Sequence, residues 1–202
     1  NGRIRGCSPD NCRVPDRRFG TSFAAKNLIM TVGAASGLNV AFKTILNPGE
    51  EVIVFAPYFL EYGAYVRNYD AILWKFTGYY HIPAESEEFE EKITPKTRAV
   101  IVNTPHNPTG VVYSEENQET YVNSGSEAER IWHSDLPDSD EPYRELAYDG
   151  VQVPYLTKYY ANTIVGYSYS KSLSLPGERI GYLVIPDEAD GSEELIAAAA
   201  IA

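Results

Sequence analysis

Lys171 stands in the run Ser168-Tyr169-Ser170-Lys171-Ser172-Leu173-Ser174-Leu175-Pro176-Gly177-Glu178-Arg179, directly after the apolar stretch Thr163-Ile164-Val165-Gly166-Tyr167. A strand that ends in small hydroxyl residues places a lysine at the rim of a sheet. Hydroxyls and Arg179 within short reach suit the binding of a phosphate. Local positive charge and partial burial would lower the pKa of the amine and free its lone pair to attack a carbonyl, forming an imine. Taken alone, the stretch reads equally well as a surface lysine in a serine-rich turn.

Four other stretches carry groups of complementary chemistry. Asp140-Glu141-Pro142-Tyr143 offers a carboxylate and a phenol three residues apart. They suit a protonated ring nitrogen and a ring oxygen, or simply the acidic first turn of a helix. Asn103-Thr104-Pro105-His106-Asn107-Pro108-Thr109-Gly110 has the prolines and glycine of a rigid loop that aims the Asn107 amide in a fixed direction. Gly33-Ala34-Ala35-Ser36-Gly37 opens a helix with residues small enough for an anion to approach the backbone amides, although close helix-to-sheet packing asks for the same residues. Phe59, in Pro57-Tyr58-Phe59, could stack on a flat ring or belong to the core.

The elements that must hold these groups follow from apolar patterning. Ala34–Leu46 has helical spacing and ends at Asn47-Pro48-Gly49; a second helix is expected around Phe59–Val66, and an acidic one over Glu85–Ile93. Buried strands are expected at Glu51–Ala56, Ala71–Phe76, Arg98–Asn103, Asn162–Ser168 and Ile180–Ile185. Strands alternating with helices imply a mostly parallel sheet, whose ligand sits at the carboxyl ends of the strands. Each candidate group falls at such an end or at a helix start. Residues 1–20 read as an irregular arm, and 117–139 is polar with no clean strand before Asp140. The alanine-rich end is compatible with a helix.

The chain has 202 residues, 44% of them hydrophobic, and a net charge of −11 from 17 basic and 28 acidic residues. Such a balance repels nucleic acid and anionic membranes, but leaves room for small anions where lysine and arginine are placed locally. No stretch has the length of a membrane span, and no secretory signal is visible. Cys7 and Cys12, with four residues between them and no histidine nearby, do not make a zinc site; a reduced, cytoplasmic setting is the simplest expectation.

Together, GAASGLNVAFKTILNPGEEVIVFAPYFLEY, VNTPHNPTGVVYSEE, SDEPYRELAYDG and SYSKSLSLPGERIGYL resemble the fold type I pyridoxal-phosphate enzymes, specifically aminotransferases of classes I and II. The blocks occur in the family's order, and Lys171 and Arg179 keep its interval. The resemblance implies an α/β fold, a three-layer α/β/α large domain with a mostly parallel sheet, and the cofactor pyridoxal 5'-phosphate. It divides the chain into an arm (1–20), a cofactor-binding large domain (21–186) and the start of a linker helix (187–202) toward a smaller domain that the chain largely lacks.

By the same resemblance Lys171 holds the cofactor as an internal aldimine and shuttles the substrate proton. Asp140 faces the pyridine nitrogen. Asn107 and Tyr143 face the phenolic oxygen, and Phe59 stacks on the ring. The amides of Ala34 and Ala35, with Ser168, Ser170 and Arg179, bind the phosphate. No metal is implied. The implied activity is ping-pong transfer of an amino group between an L-amino acid and a 2-oxo acid, in a homodimer. A lyase on the same scaffold, or a non-catalytic cofactor-binding fragment, is the alternative. The family's substrate-gripping arginine normally lies in the smaller domain, and no arginine follows Ile185.

Overall fold

The computed structural model describes residues 23–77, 89, 91–115 and 138–202. Their centre is a seven-stranded sheet. In chain order the elements are β1 (Leu28–Thr31), α1 (Gly33–Ile45), β2 (Glu51–Phe55), α2 (Tyr62–Arg67), β3 (Ile72–Phe76), β4 (Thr97–Asn103), β5 (Asp138–Asp140), β6 (Ile164–Ser168), α3 (Tyr169–Ser172), β7 (Gly181–Val184) and α4 (Ser192–Ala199). The spatial order is β1-β7-β6-β5-β4-β2-β3. The neighbouring pairs from β3 to β6 are parallel, whereas β7 runs antiparallel to both β6 and β1.

All five strands expected from apolar patterning are present, but β3, expected to be buried, lies at the edge of the sheet with Ile72, Trp74 and Lys75 exposed. Two more were not read from it. β1 directly precedes α1 and pairs with β7 at the edge of the sheet. β5 corrects the expectation that no strand precedes Asp140. Its three residues, Asp-Ser-Asp, have no apolar signature, but their backbone pairs with β4 on one side and β6 on the other. Pairing in a ladder uses main-chain groups, so flanking strands can impose it on a polar segment. The arm with Cys7 and Cys12, most of the acidic helix expected over 85–93, and 116–137 lie outside the described residues. Among the described residues no helix is long and apolar enough to cross a membrane, and no three His, Cys, Asp or Glu side chains gather as a metal site.

The sheet divides the core by residue parity. Val52 and Val54 face α1 and α2, packing with Leu38, Phe42, Tyr62, Val66 and Ile101. Ile53 and Phe55 face the other way, toward Phe76, Phe89, Val102, Tyr113 and Leu156. Helix α1 buries Gly33, Gly37, Leu38, Ala41 and Phe42, a stripe of helical period. Full burial of side chains such as Leu38 and Phe42 is worth about 1.5–3 kcal/mol each. Beyond α1 the chain turns at Gly49 (φ +83°), whose N–H donates to Asp70 O at 2.8 Å, and enters β2. At the other end of the sheet Ala41, Ile164, Leu183, Ile185 and Ala199 pack α4 against α1.

Candidate active site

Strand register brings the separate motifs to one edge. Asn103, at the end of β4, is the ladder partner of Asp140, at the end of β5, and Asp140 is the partner of Gly166 in β6. The loops that leave these strands therefore emerge side by side. Asn103 fastens two of them: its Nδ2 donates to Asp140 O at 2.7 Å, and its Oδ1 accepts from Asn107 N at 2.7 Å. The loop is closed by His106 N–H to Val111 O (2.8 Å) and Gly110 N–H to His106 O (2.7 Å). His106 itself is buried, and burial pushes its pKa down; its Nδ1 meets Thr109 Oγ1 at 2.8 Å. The Asn107 amide so aimed lies 3.3 Å from the Tyr143 hydroxyl, donating to it.

Asp140 is buried. Its Oδ2 accepts from the Tyr62 hydroxyl at 2.5 Å, while Oδ1 has no hydrogen-bond partner among the described residues. Burial pushes its pKa up to about 6, the Tyr62 hydrogen bond opposes that rise, and the neighbouring Glu141 charge adds to it. Tyr62 was missed in the sequence reading. Its signal was available: a tyrosine three residues after Phe59, in an apolar helical stretch, whose hydroxyl needs a polar partner once buried. Phe59 is half-buried, edge-on to Tyr62 with ring centroids 5.6 Å apart.

The turn carrying Tyr143 is held from below. Arg144 Nε donates to Glu141 Oε2 at 2.5 Å, and its two terminal nitrogens donate to Val153 O (2.6 Å) and Pro154 O (2.9 Å). Its guanidinium lies 4.6 Å from the Tyr155 ring centroid. A buried ion pair tolerates its desolvation only when the remaining donors find acceptors, as they do here.

Across the site, Ser168 caps α3: its Oγ accepts from Ser170 N at 3.1 Å and meets Ser170 Oγ at 2.8 Å. Lys171 Nζ lies 5.7 Å from the Tyr143 ring centroid. The partial burial expected of Lys171 is not found; the residue is exposed, because α3 begins beyond the last ladder residue of β6, outside the packed layers. Ser172 also departs from the hydroxyl cluster, since its Oγ meets Tyr167 instead.

The amides of Gly33, Ala34 and Ala35 form the first turn of α1, where N–H groups have no intrahelical acceptor. Arg179, in a left-handed backbone conformation (φ +52°), lays its guanidinium against this turn. A Cβ on Gly33 would fall 2.6 Å from Arg179 Nη2. Gly181 permits the arrangement. It is the ladder partner of both Thr31 and Ser168, and a Cβ there would fall 2.6 Å from Tyr167 O and 2.9 Å from Gly33 C. Since both contacts are backbone, Gly181→Ala is expected to push α1 away from Ser168 and to destabilise the chain by about 1–3 kcal/mol, read as a lower urea midpoint with unchanged slope.

The profile of aminotransferase class I and II matches residues 15–201, and the chain belongs to that family. It is 33% identical over 177 residues to the aspartate/prephenate aminotransferase of Thermus thermophilus, covering 85% of this chain and 44% of that protein. It is 33% identical over 178 residues to the aspartate aminotransferase of Geobacillus stearothermophilus, again 85% of this chain and 44% of the relative. An amino transferase structure from Eubacterium rectale superposes with a TM-score of 0.89 at 42% identity, covering 95% of this chain and 49% of that one. The fold is therefore the fold type I aminotransferase fold. The chain spans about half the length of the curated relatives it matches.

Proposed function

We propose that this chain is the pyridoxal 5'-phosphate-holding portion of an aminotransferase that moves an amino group between an L-amino acid and a 2-oxo acid. The observation that carries this reading is Asp140. One carboxylate oxygen is taken by Tyr62 and the other has no partner among the described residues, although the group is buried. A buried carboxylate in that state is unfavourable until a cation with a hydrogen to donate meets it, and a protonated pyridine nitrogen is such a group. The rest of the site fits the same molecule. The free first-turn amides of α1, with Arg179, Ser168 and Ser170, suit a phosphate. Asn107 and Tyr143 together supply donors for a phenolic oxygen, and Phe59 a ring face.

The bound group supplies an electron sink for the carbanion formed at the substrate α-carbon. The chain's own residues do the remainder. Lys171 Nζ would hold the cofactor and, when free, would take up the proton of the substrate α-carbon. Asp140 would keep the ring nitrogen protonated. Tyr143 and Asn107 would hold the phenolic oxygen, and Arg179 would hold the phosphate. Donor and acceptor then use one site in turn, a ping-pong order.

The domain reading accompanies this proposal: an arm at 1–20, a cofactor domain at 21–186, and a linker beginning at 187–202, where α4 supplies the helix. A homodimer in the cytoplasm is the proposed setting. The test is a half-reaction. Glutamate added to the loaded protein without a 2-oxo acid should yield one equivalent of 2-oxoglutarate per site and no ammonia. Ammonia and pyruvate released from a β-substituted amino acid would identify elimination instead.

A further inference from the structure

Tyr167 lies on β6 beneath the site, and none of the roles above uses it. Its ring is fixed by packing: it stacks on Tyr182 with centroids 5.0 Å apart and meets Tyr169 edge-on at 5.3 Å. Its hydroxyl lies 2.7 Å from Glu145 Oε1 and 2.7 Å from Ser172 Oγ. One phenolic proton cannot serve both. An ionised carboxylate only accepts, so the phenol donates to Glu145 and accepts from the Ser172 hydroxyl. The result is a directed chain, Ser172 to Tyr167 to Glu145, in which each bond polarises the next. Ser172 follows Lys171 in α3, and Glu145 lies two residues after Tyr143 in the 3-10 turn Arg144–Leu146. Two turns far apart in sequence, one bearing the amine and the other the phenol over which it sits, share a single hydroxyl.

We propose that Tyr167 is a positioning residue whose hydroxyl ties the Lys171 turn to the Tyr143 turn, so that amine and phenol keep their relative placement. The consequence for Lys171 rests on the cofactor reading above; the tie itself does not. Packing holds the ring, so Tyr167→Phe removes the tie and leaves the core contacts in place.

The two turns carry separate reporters. Leu146 N–H donates to Tyr143 O at 2.8 Å in one, and Leu173 N–H donates to Tyr169 O at 3.3 Å in the other. In hydrogen exchange on the cofactor-free chain, Tyr167→Phe should speed both amides by roughly tenfold, the scale of one hydrogen bond to a charged group. An amide in β2, such as Val54, should be unaffected. Ser172→Ala alters only the Lys171 turn, yet should also speed Leu146, and the Tyr167→Phe/Ser172→Ala pair should be no faster than Tyr167→Phe alone. Ser172→Ala affecting Leu173 alone, or Leu146 unchanged in Tyr167→Phe, would overturn the proposal. If Tyr167→Phe does not fold, Glu145→Gln and Ser172→Ala make the same comparison, each read at the opposite turn. Labelling of Lys171 by pyridoxal phosphate and borohydride should slow about three- to tenfold in Tyr167→Phe, and an unchanged rate overturns the role toward the amine. No label on Lys171 in the unaltered chain would count against the cofactor reading, while exchange still decides the tie.

Discussion

Lys171→Ala is expected to abolish the borohydride-fixed attachment of pyridoxal phosphate to the peptide containing position 171, and to lower amino-group transfer by at least roughly a thousandfold. Under the proposed function two losses would combine: the covalent anchor, and the base that moves the α-proton, which alone is typically worth about 10²–10⁴. Stability should hardly change, because Lys171 is exposed and lies outside the packed layers. That separation gives the measurement its force. Peptide mapping after borohydride reduction should find the label at position 171 in the unaltered chain and nowhere near it in the variant. A label that persists in the 168–179 peptide of Lys171→Ala would refute the anchor assignment.

Asp140→Asn should act in opposite directions on stability and on cofactor binding. Burial holds the Asp140 pKa at about 6, above the ordinary 3.8. Below pH 3.8 the carboxyl is neutral in folded and unfolded chains alike and carries no penalty. Between 3.8 and about 6 the unfolded chain releases the proton while the folded chain keeps it, so stability falls as pH rises. Above about 6 the penalty is complete, about 3 kcal/mol. Asparagine preserves an acceptor for Tyr62 and carries no charge. The cofactor-free variant should therefore be more stable than the parent at pH 7, by up to about 3 kcal/mol, with the gain vanishing toward pH 4. Pyridoxal phosphate affinity should meanwhile fall roughly 10- to 100-fold through the lost charge-assisted hydrogen bond. Urea unfolding at pH 4 and pH 7, with and without the cofactor, measures both effects. A variant less stable than the parent at pH 7 would show that Asp140 is not an isolated buried charge.

Much of this arrangement was legible in the residues. The strands at 51–55, 72–76, 97–103, 164–168 and 181–184 announce themselves by apolar runs, because each is buried wholly or in part between layers. Asn107, Asp140, Tyr143, Lys171 and Arg179 announce themselves by their place at strand ends. What stayed hidden depends on the main chain or on long-range pairing. The strand Asp138–Asp140 has no side-chain signature. Tyr62 reads as a core aromatic until the sheet brings Asp140 against it. Tyr167 reads as one tyrosine in an apolar strand until Ser172 and Glu145 fold to either side of its hydroxyl. Gly181 reads as part of a motif, and only the register with Thr31 and Ser168 reveals that a methyl group there would strike two backbones. Lys171 was read correctly by position and incorrectly by burial, since a strand end can be a rim without being a pocket.

The place of Asp140 in the sheet has a consequence for the life of the protein in a cell. β5 joins β4-β2-β3 to β6-β7-β1, and Asp140 in it bears the carboxylate oxygen that no described residue satisfies. A sheet parts most readily where its local stability is least, and this strand carries a charge that opposes folding above about pH 6. Under the proposed function, a molecule bound against Asp140 would close that seam. Newly made chains without the cofactor would open there and meet proteases first, while loaded ones would persist. Turnover would then match the amount of protein to the supply of its cofactor, with no dedicated regulator.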